Sequence, residues 1–271
     1  MKRPVPIYEP LYSLKPIAEN IWIVDGDLIE MDAVVTKLPF STRMTVIKLS
    51  NGQLWCHSPI QPNQALFDQL DALGPVAHLV SPNKIHYAYI ADWKKRYPEA
   101  IAWSSPGVEE RAAKQKIPVY FDEKLTDEAP EAWTGQIDQL VFKGSTYIEE
   151  VVFFHKDSQT LILTDLIENF ETEHFPSQIR GKAYKLVRVA APDGQTPIDY
   201  RMTFIGHQKE AKECLEQMLA WKPEKIILAH GSCFLENGRT ELRRALRWIR
   251  YENFIVGNER RHVCSIQLGT L

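Results

Sequence analysis

Hydrophobic positions along the chain follow two different periods. Residues 21–25 (Ile-Trp-Ile-Val-Asp) and 34–38 (Val-Val-Thr-Lys-Leu) are β-rich apolar runs, the second ended by Pro39. Residues 44–49 alternate up to Asn51 and Gly52, a dipeptide that favours a tight hairpin turn, and residues 54–57 resume the ladder. The period then lengthens: Asn63 opens residues 64–73, with Ala65, Leu66, Leu70 and Leu73 at helical spacing, and Gly74-Pro75 stops them. Residues 76–80 predict a short buried strand, His86 to Tyr97 a helix, 100–103 a strand and 108–116 a short helix. The second half repeats the theme, with strands at 137–142, 151–155 and 160–164. A helix follows at 208–221, a buried strand at 225–229 and a last helix at 239–251. Strands followed by α/β units in each half predict an α/β fold, a two-layer β core wrapped by helices and folding as a single domain over residues 1–271.

At 271 residues the chain buries roughly three quarters of its unfolded surface and needs no staple. Cys56, Cys214, Cys233 and Cys264 have no CxxC spacing, which fits a reducing compartment. No signal segment and no apolar run of about 20 residues occurs, so the expected location is cytoplasmic, away from membranes. A net charge of −3 offers no basic footprint for nucleic acid. The expected partner is a small-molecule substrate, an anionic one being left open, and the oligomeric state is undetermined. Arg243, Arg244, Arg247 and Arg250 line one side of the last helix, a solvated face or an anionic partner's surface.

Candidate chemistry lies at strand ends. His86 follows the strand at 76–80, Asp165 ends the strand at 160–164, and His230 ends the strand at 225–229. His57 is placed in the same way after 54–56. In α/β architectures, loops beyond strand C-termini converge on one crevice. Imidazole nitrogen and carboxylate oxygen suit zinc, iron or manganese. Glu168, three residues past Asp165, is a candidate base. Lys84 is a candidate for holding an anionic group. Asn83 suits an oxyanion contact or the cap of the helix expected from His86.

Residues 225–231 (Lys-Ile-Ile-Leu-Ala-His-Gly) and 161–165 (Leu-Ile-Leu-Thr-Asp) resemble the strand-His-Gly segment and the metal-bridging-Asp strand of the metallo-β-lactamase superfamily. The Phe-Lys-Gly-Ser-Thr stretch at 142–146 and the segment from His78 to Pro98 are similar in order to that superfamily. More narrowly, residues 58–60, 81–86 and 163–169 resemble a branch found in bacteria and plants whose members have no assigned substrate. The resemblance implies a four-layer αββα sandwich, two mixed β-sheets flanked by helices. Against the superfamily's His-x-His-x-Asp-His motif, Ser81 stands at the first His, Asn83 at the second and Ile85 at the Asp, and only His86 remains. Thr146 stands near another usual His, and His57 near a usual early-strand Asp. The implied site is reduced: one divalent metal, zinc before iron, on His86, Asp165 and His230, with His57 as a fourth ligand. The implied activity is a metal-dependent hydrolase with Glu168, Lys84 and Asn83 as helpers. The alternatives are a member that has lost its metals and binds a small molecule or partner, and a redox-active single-iron site.

Overall fold

A computed structural model describes residues 7–32, 37–171 and 188–249. The first half holds β1 (Lys15–Ala18), a long hairpin of β2 (Ile21–Asp32) and β3 (Lys37–Lys48), β4 (Leu54–His57) and α1 (Gln64–Leu73). It continues through β5 (Val76–Ser81), α2 (Ile90–Arg96), β6 (Ile101–Ser104), α3 (Val108–Gln115) and β7 (Glu123–Lys124). The second half holds β8 (Ile137–Phe142), β9 (Glu150–His155), β10 (Thr160–Leu163), α4 (Ile198–Met202), α5 (Gln208–Ala220), β11 (Lys225–Leu228) and α6 (Gly238–Ala245). β1 to β7 form one seven-stranded sheet in chain order, antiparallel as far as β4 and parallel from β4 onward. The second sheet has the order β11-β10-β9-β8, with β10 and β11 parallel.

Side-chain alternation builds the layers. A strand points successive residues to opposite faces. Leu54 and Cys56 of β4 therefore join Met44, Val46 and Leu79 under α1–α3, while Trp55 faces the other way. In the second sheet Leu161 and Leu163 meet Phe154, Leu228 and the residues of α5 and α6. Ile162 and Ile227 instead meet Trp55, Val80, Trp103, Trp133, Val141 and Phe153 in the layer between the sheets. The result is helices, sheet, sheet, helices. β10 is buried on both faces, as its unbroken apolar run predicts.

Local chemistry sets the boundaries. Asn63 caps α1 by accepting the N–H of Leu66 (3.2 Å). Gly52 turns the β3–β4 hairpin at φ +83°, donating to Leu49 O at 2.8 Å. Gly74 lies so close to it that a Cβ there would sit 2.4 Å from Gly52 O. The strand expected at 34–38 is described only from Lys37, where β3 starts; residues 34–36 lie outside the described residues. The helix expected from His86 starts at Ile90, because residues 83–89 form turns. The last helix stops at Ala245, followed by a turn through Ile249; residues 250 and 251 of the expected helix lie outside the described residues. His155, the last residue of β9, is buried with its Nδ1 2.7 Å from Ser158 Oγ. No helix among the described residues is long and apolar enough to cross a membrane.

His78 gives the inter-sheet layer a pH dependence. The Trp103 indole N–H donates to its Nδ1 (3.2 Å), and Trp133 packs edge-on to the ring. Burial lowers its pKa from 6.5 to about 4. As pH falls below 6.5 the unfolded chain takes the proton first, so this contribution to stability is lost between pH 6.5 and 4. At pH 5 the loss amounts to about 2 kcal/mol. Denaturant unfolding at pH 7 and pH 5 should show His78→Gln losing less stability across that interval than the wild type, by a similar amount.

Candidate metal centre

β5, β10 and β11 deliver three donor side chains to one point. His86 Nε2 lies 3.4 Å from Asp165 Oδ1, His230 Nε2 lies 3.4 Å from the same oxygen, and the two Nε2 atoms are 3.3 Å apart. Zinc bonds of about 2.0–2.1 Å in a tetrahedral shell put ligand atoms about 3.3 Å apart. The near-equilateral triangle of donors therefore has the edge length a tetrahedral ion requires. Among the described residues, His86, Asp165 and His230 are the group of His, Cys, Asp or Glu side chains able to hold a metal ion.

Each donor is held from behind. Asn83, fully buried, donates its amide to Asp165 Oδ2 (2.6 Å) and Thr164 Oγ1 (3.0 Å); His86 Nε2 also lies 3.2 Å from Oδ2, and Oδ1 is the oxygen within reach of both imidazoles. Its own oxygen accepts the N–H groups of Ile85 (2.9 Å) and His86 (3.1 Å), which sets the turn carrying His86. Glu150 is buried at the start of β9. It accepts the N–H groups of Thr164 (2.7 Å), Asp165 (2.8 Å) and Leu166 (3.0 Å) and so clamps the β10 end. Ser58 Oγ is 2.7 Å from His86 Nδ1, and the Ser41 carbonyl accepts from His230 Nδ1 (2.8 Å).

The loop after β11 is tied across the sheets. Arg43 of β3 is paired with Asp25 of β2, and its Nη1 donates to the carbonyls of Leu228 (2.7 Å) and Gly231 (2.6 Å). Gly231 takes φ +89°, and a Cβ there would lie 2.1 Å from Asn169 O, so only glycine fits after His230. Phe40 meets the His230 ring edge-on and Phe170 lies parallel to it.

The electrostatics follow from these partners. A carbonyl can only accept, so the His230 Nδ1 carries the ring proton and a neutral His230 aims a bare Nε2 at a carboxylate oxygen. That arrangement repels unless a second proton or a metal ion lies between them. Burial works to raise the Asp165 pKa, but the His86 and His230 imidazoles outweigh it and hold the carboxyl well below the usual range. Burial works to lower His86, and Asp165 reverses it, leaving the pKa raised. Burial, aided by the Asp165 charge, pushes Glu150 up.

The other sequence candidates fall in different places. His57 shares the inward face of β4 with Trp55, stacks on that indole at 5.5 Å and meets Phe153 edge-on. Its Nε2 has no hydrogen-bond partner, and burial drives its pKa down to about 3. The structure thus leaves His57 out of the donor triangle; the next residue, Ser58, at φ +54°, reaches His86 instead. Lys84 sends its ammonium over the Tyr147 ring (4.0 Å), and it does not line the cavity beside His86. Glu168 is buried, and desolvation raises its pKa to about 8, so at neutral pH the carboxyl keeps its proton and suits a donor better than a base. Asn83 caps a turn, not a helix, and also orients Asp165. Sequence reasoning missed Glu150, Arg43 and the role of Ser58. A charged residue opening the apolar run of β9 was the available signal for Glu150.

A cavity of about 60 Å³ opens beside the triangle, lined among others by Thr42, Ser58, Pro59, His86, Tyr89 and His230. It has room for a few waters or the tip of a substrate.

Solved structures share this architecture. The chain is similar to the DIM-1 metallo-β-lactamase exposed to ceftazidime, at 13% identity over 88% of this chain and 97% of that one, TM-score 0.57. It is similar to a metallo-β-lactamase from Hirschia baltica at 9% identity over 89% and 98%, TM-score 0.58. The mono-zinc form of FIM-1 from Pseudomonas aeruginosa gives 11% identity over 90% and 97%, TM-score 0.56. At these identities the likeness establishes the metallo-β-lactamase fold: two mixed sheets flanked by helices. No curated protein matches the sequence. Residues 18–198, more than half of the chain, match the family model described as a domain of unknown function, DUF4336, and the chain belongs to that family.

Proposed function

We propose that the protein is a metal-dependent hydrolase with a single-ion centre on His86, Asp165 and His230. The observation that carries this reading is the donor triangle, 3.3–3.4 Å on each edge, with the proton of His230 committed to the Ser41 carbonyl. Three protein ligands with an open fourth position are the pattern of a catalytic zinc site. Zinc is the first expectation and iron the second, since the same donors serve both. A bound ion of this kind supplies a water of lowered pKa and polarises a carbonyl or phosphoryl oxygen.

The chain's own residues do the rest. Asn83 keeps one carboxylate oxygen of Asp165 occupied so that the other faces the ion. Ser58 Oγ accepts a hydrogen bond from His86 Nδ1–H, which holds the ring proton on Nδ1 and leaves Nε2 free to ligate. Glu168, which burial keeps protonated at neutral pH, is a carboxyl able to donate a proton but does not line the cavity; Ser81 and Asn83 stand where the motif of the superfamily this chain resembles places histidines, which favours one ion over two. The small cavity restricts the substrate to one whose reacting end is slim.

One specific observation favours a second reading. Ser58 Oγ, His86 and Asp165 form a continuous chain, 2.7 Å at Nδ1 and 3.2 Å at Nε2, with Ser58 in left-handed backbone just after β4. This is the connectivity of a serine nucleophile, its base and its orienting acid. The two readings require opposite protons on His86: on Nδ1 when Nε2 binds a metal, on Nε2 when Nδ1 serves as base.

Metal analysis of protein purified without chelator or nickel resin should return about one ion per chain, and His230→Ala should lose it. Substoichiometric metal in the wild type, unchanged in His230→Ala, would sink the reading. Ser58→Ala should lower metal affinity by about 10–100-fold while leaving the thermal midpoint of the metal-free protein nearly unchanged, because it removes only the partner behind a ligand. A fluorophosphonate probe should leave the chelated protein unlabelled; labelling that disappears in Ser58→Ala would replace the metal reading with the serine one.

A further inference from the structure

Apart from the donor triangle itself, the cavity beside it presents no free charge. Arg43 lines it, but every nitrogen of that buried guanidinium is engaged. Nε and Nη2 meet Asp25 Oδ1 at 2.8 and 2.7 Å, and Nη1 meets the Leu228 and Gly231 carbonyls and Cys233 Sγ (3.4 Å). Lys84 lies over Tyr147, outside the lining. Among the described residues no carboxylate lines the cavity. The hydroxyls are committed or neutral. Thr42 Oγ1 donates to Asp27 O (2.8 Å), and Ser58 Oγ lies against His86 Nδ1 (2.7 Å). Burial, with Tyr12, Asp92 and Asp27 nearby, raises the Tyr89 pKa, so the phenol stays neutral.

The rest of the wall is hydrocarbon: Ile29, Pro59, Ile60, Ile85 and Ala88. Ile60 is buried and held from two sides. Its carbonyl accepts the Trp93 indole N–H (2.7 Å), and a Cβ at Gly26 of β2 would lie 3.1 Å from Ile60 Cδ1. A wall packed in this way cannot retreat from a larger group without strain. At roughly 10–15 Å³ for each water-sized group, the space of about 60 Å³ seats about four or five non-hydrogen atoms.

We infer that the substrate is a carboxylic ester or amide whose group beside the scissile bond is uncharged, apolar and about two to four carbons long, seated against Ile29, Ile60 and Ile85. This rests on the hydrolase reading of the same site. A carboxylate or phosphate in that position would shed its water and gain no partner, whereas an alkyl group gains by leaving water. A cationic group fares no better, since no acid faces it. Hydrolysis adds water across the acyl bond, the hydroxyl to the acyl carbon and the proton to the leaving oxygen or nitrogen.

Calorimetric titration of the zinc-loaded full chain with alkyl hydroxamates tests it, with zinc content measured before and after. The hydroxamate head binds the metal and the alkyl group enters the cavity. Butanohydroxamate should bind about tenfold tighter than acetohydroxamate, for two more buried methylenes. Octanohydroxamate should gain nothing further. Succinomonohydroxamate, as long as butanohydroxamate but ending in a carboxylate, should bind at least about tenfold more weakly than it does. Thr42→Lys, at a half-buried position, brings a free ammonium to the cavity and should reverse that preference. Ile29→Ala, also half-buried, should cut the gain from acetohydroxamate to butanohydroxamate to about threefold. Equal wild-type affinity for the butano and succinomono compounds would overturn the inference, as would affinity that keeps rising to octanohydroxamate. Zinc-bound protein that takes up no hydroxamate would overturn it and leave the metal centre standing. Protein that holds no zinc would overturn the metal reading and this inference with it, a result the metal analysis shows before any titration.

Discussion

One carboxylate has to stay ionised inside the protein, and the site is arranged around that demand. Asp165 is buried at the end of β10, where a lone charge would be too costly to hold. Asn83 donates to one of its oxygens, the His230 imidazole faces the other, and the His86 imidazole lies against both. Beneath it, Glu150 accepts three consecutive backbone N–H groups and so fixes where Asp165 emerges from the strand. A second acidic group under the first would be destabilising alone. Burial and the Asp165 charge push Glu150 towards protonation, while the three donors oppose them.

The two sheets contribute unequally. The second sheet supplies Asp165 and His230 from adjacent parallel strands, paired from Thr160↔Lys225 through Leu163↔Leu228, so their ends are level. The first sheet supplies His86 and nearly all of the orienting groups: Ser41, Ser58 and Asn83. Arg43 joins the two by reaching from β3 to the carbonyls of Leu228 and Gly231. Its pairing with Asp25 keeps this guanidinium from being an unpaired buried charge. The arrangement places donors from both sheets at one crevice without any of them having to move.

Strand ends were the legible part of the site. Short apolar runs ending in Asp165 and His230, or followed by His86, marked these residues before any geometry, because parallel strands of an α/β sheet open their C-terminal ends on one side. His57 satisfied the same rule and still missed the centre. Its parity with Trp55 on β4 turns the ring into the inter-sheet layer, and parity depends on which face of a strand is inward. Lys84 and Glu168 were near in sequence, yet the ammonium found Tyr147 and the carboxyl lost its charge to burial. The helix expected from His86 was displaced to Ile90 because Asn83 spends its carbonyl oxygen on the turn that aims His86.

By itself the sequence determined the order of the elements and the two-layer β core, since the period of apolar residues decides which segments are strands and which are helices. It also determined the donor types at three strand ends. Only the tertiary structure decided that Asp165 Oδ1 and the two Nε2 atoms form a triangle of near-equal edges, and that Ser58 and Glu150 stand behind it. Those outcomes depend on hydrogen bonds between residues as distant along the chain as Ser41 and His230. Local periodicity carries no information about such partners, because the distance between them is set only when the two sheets pack.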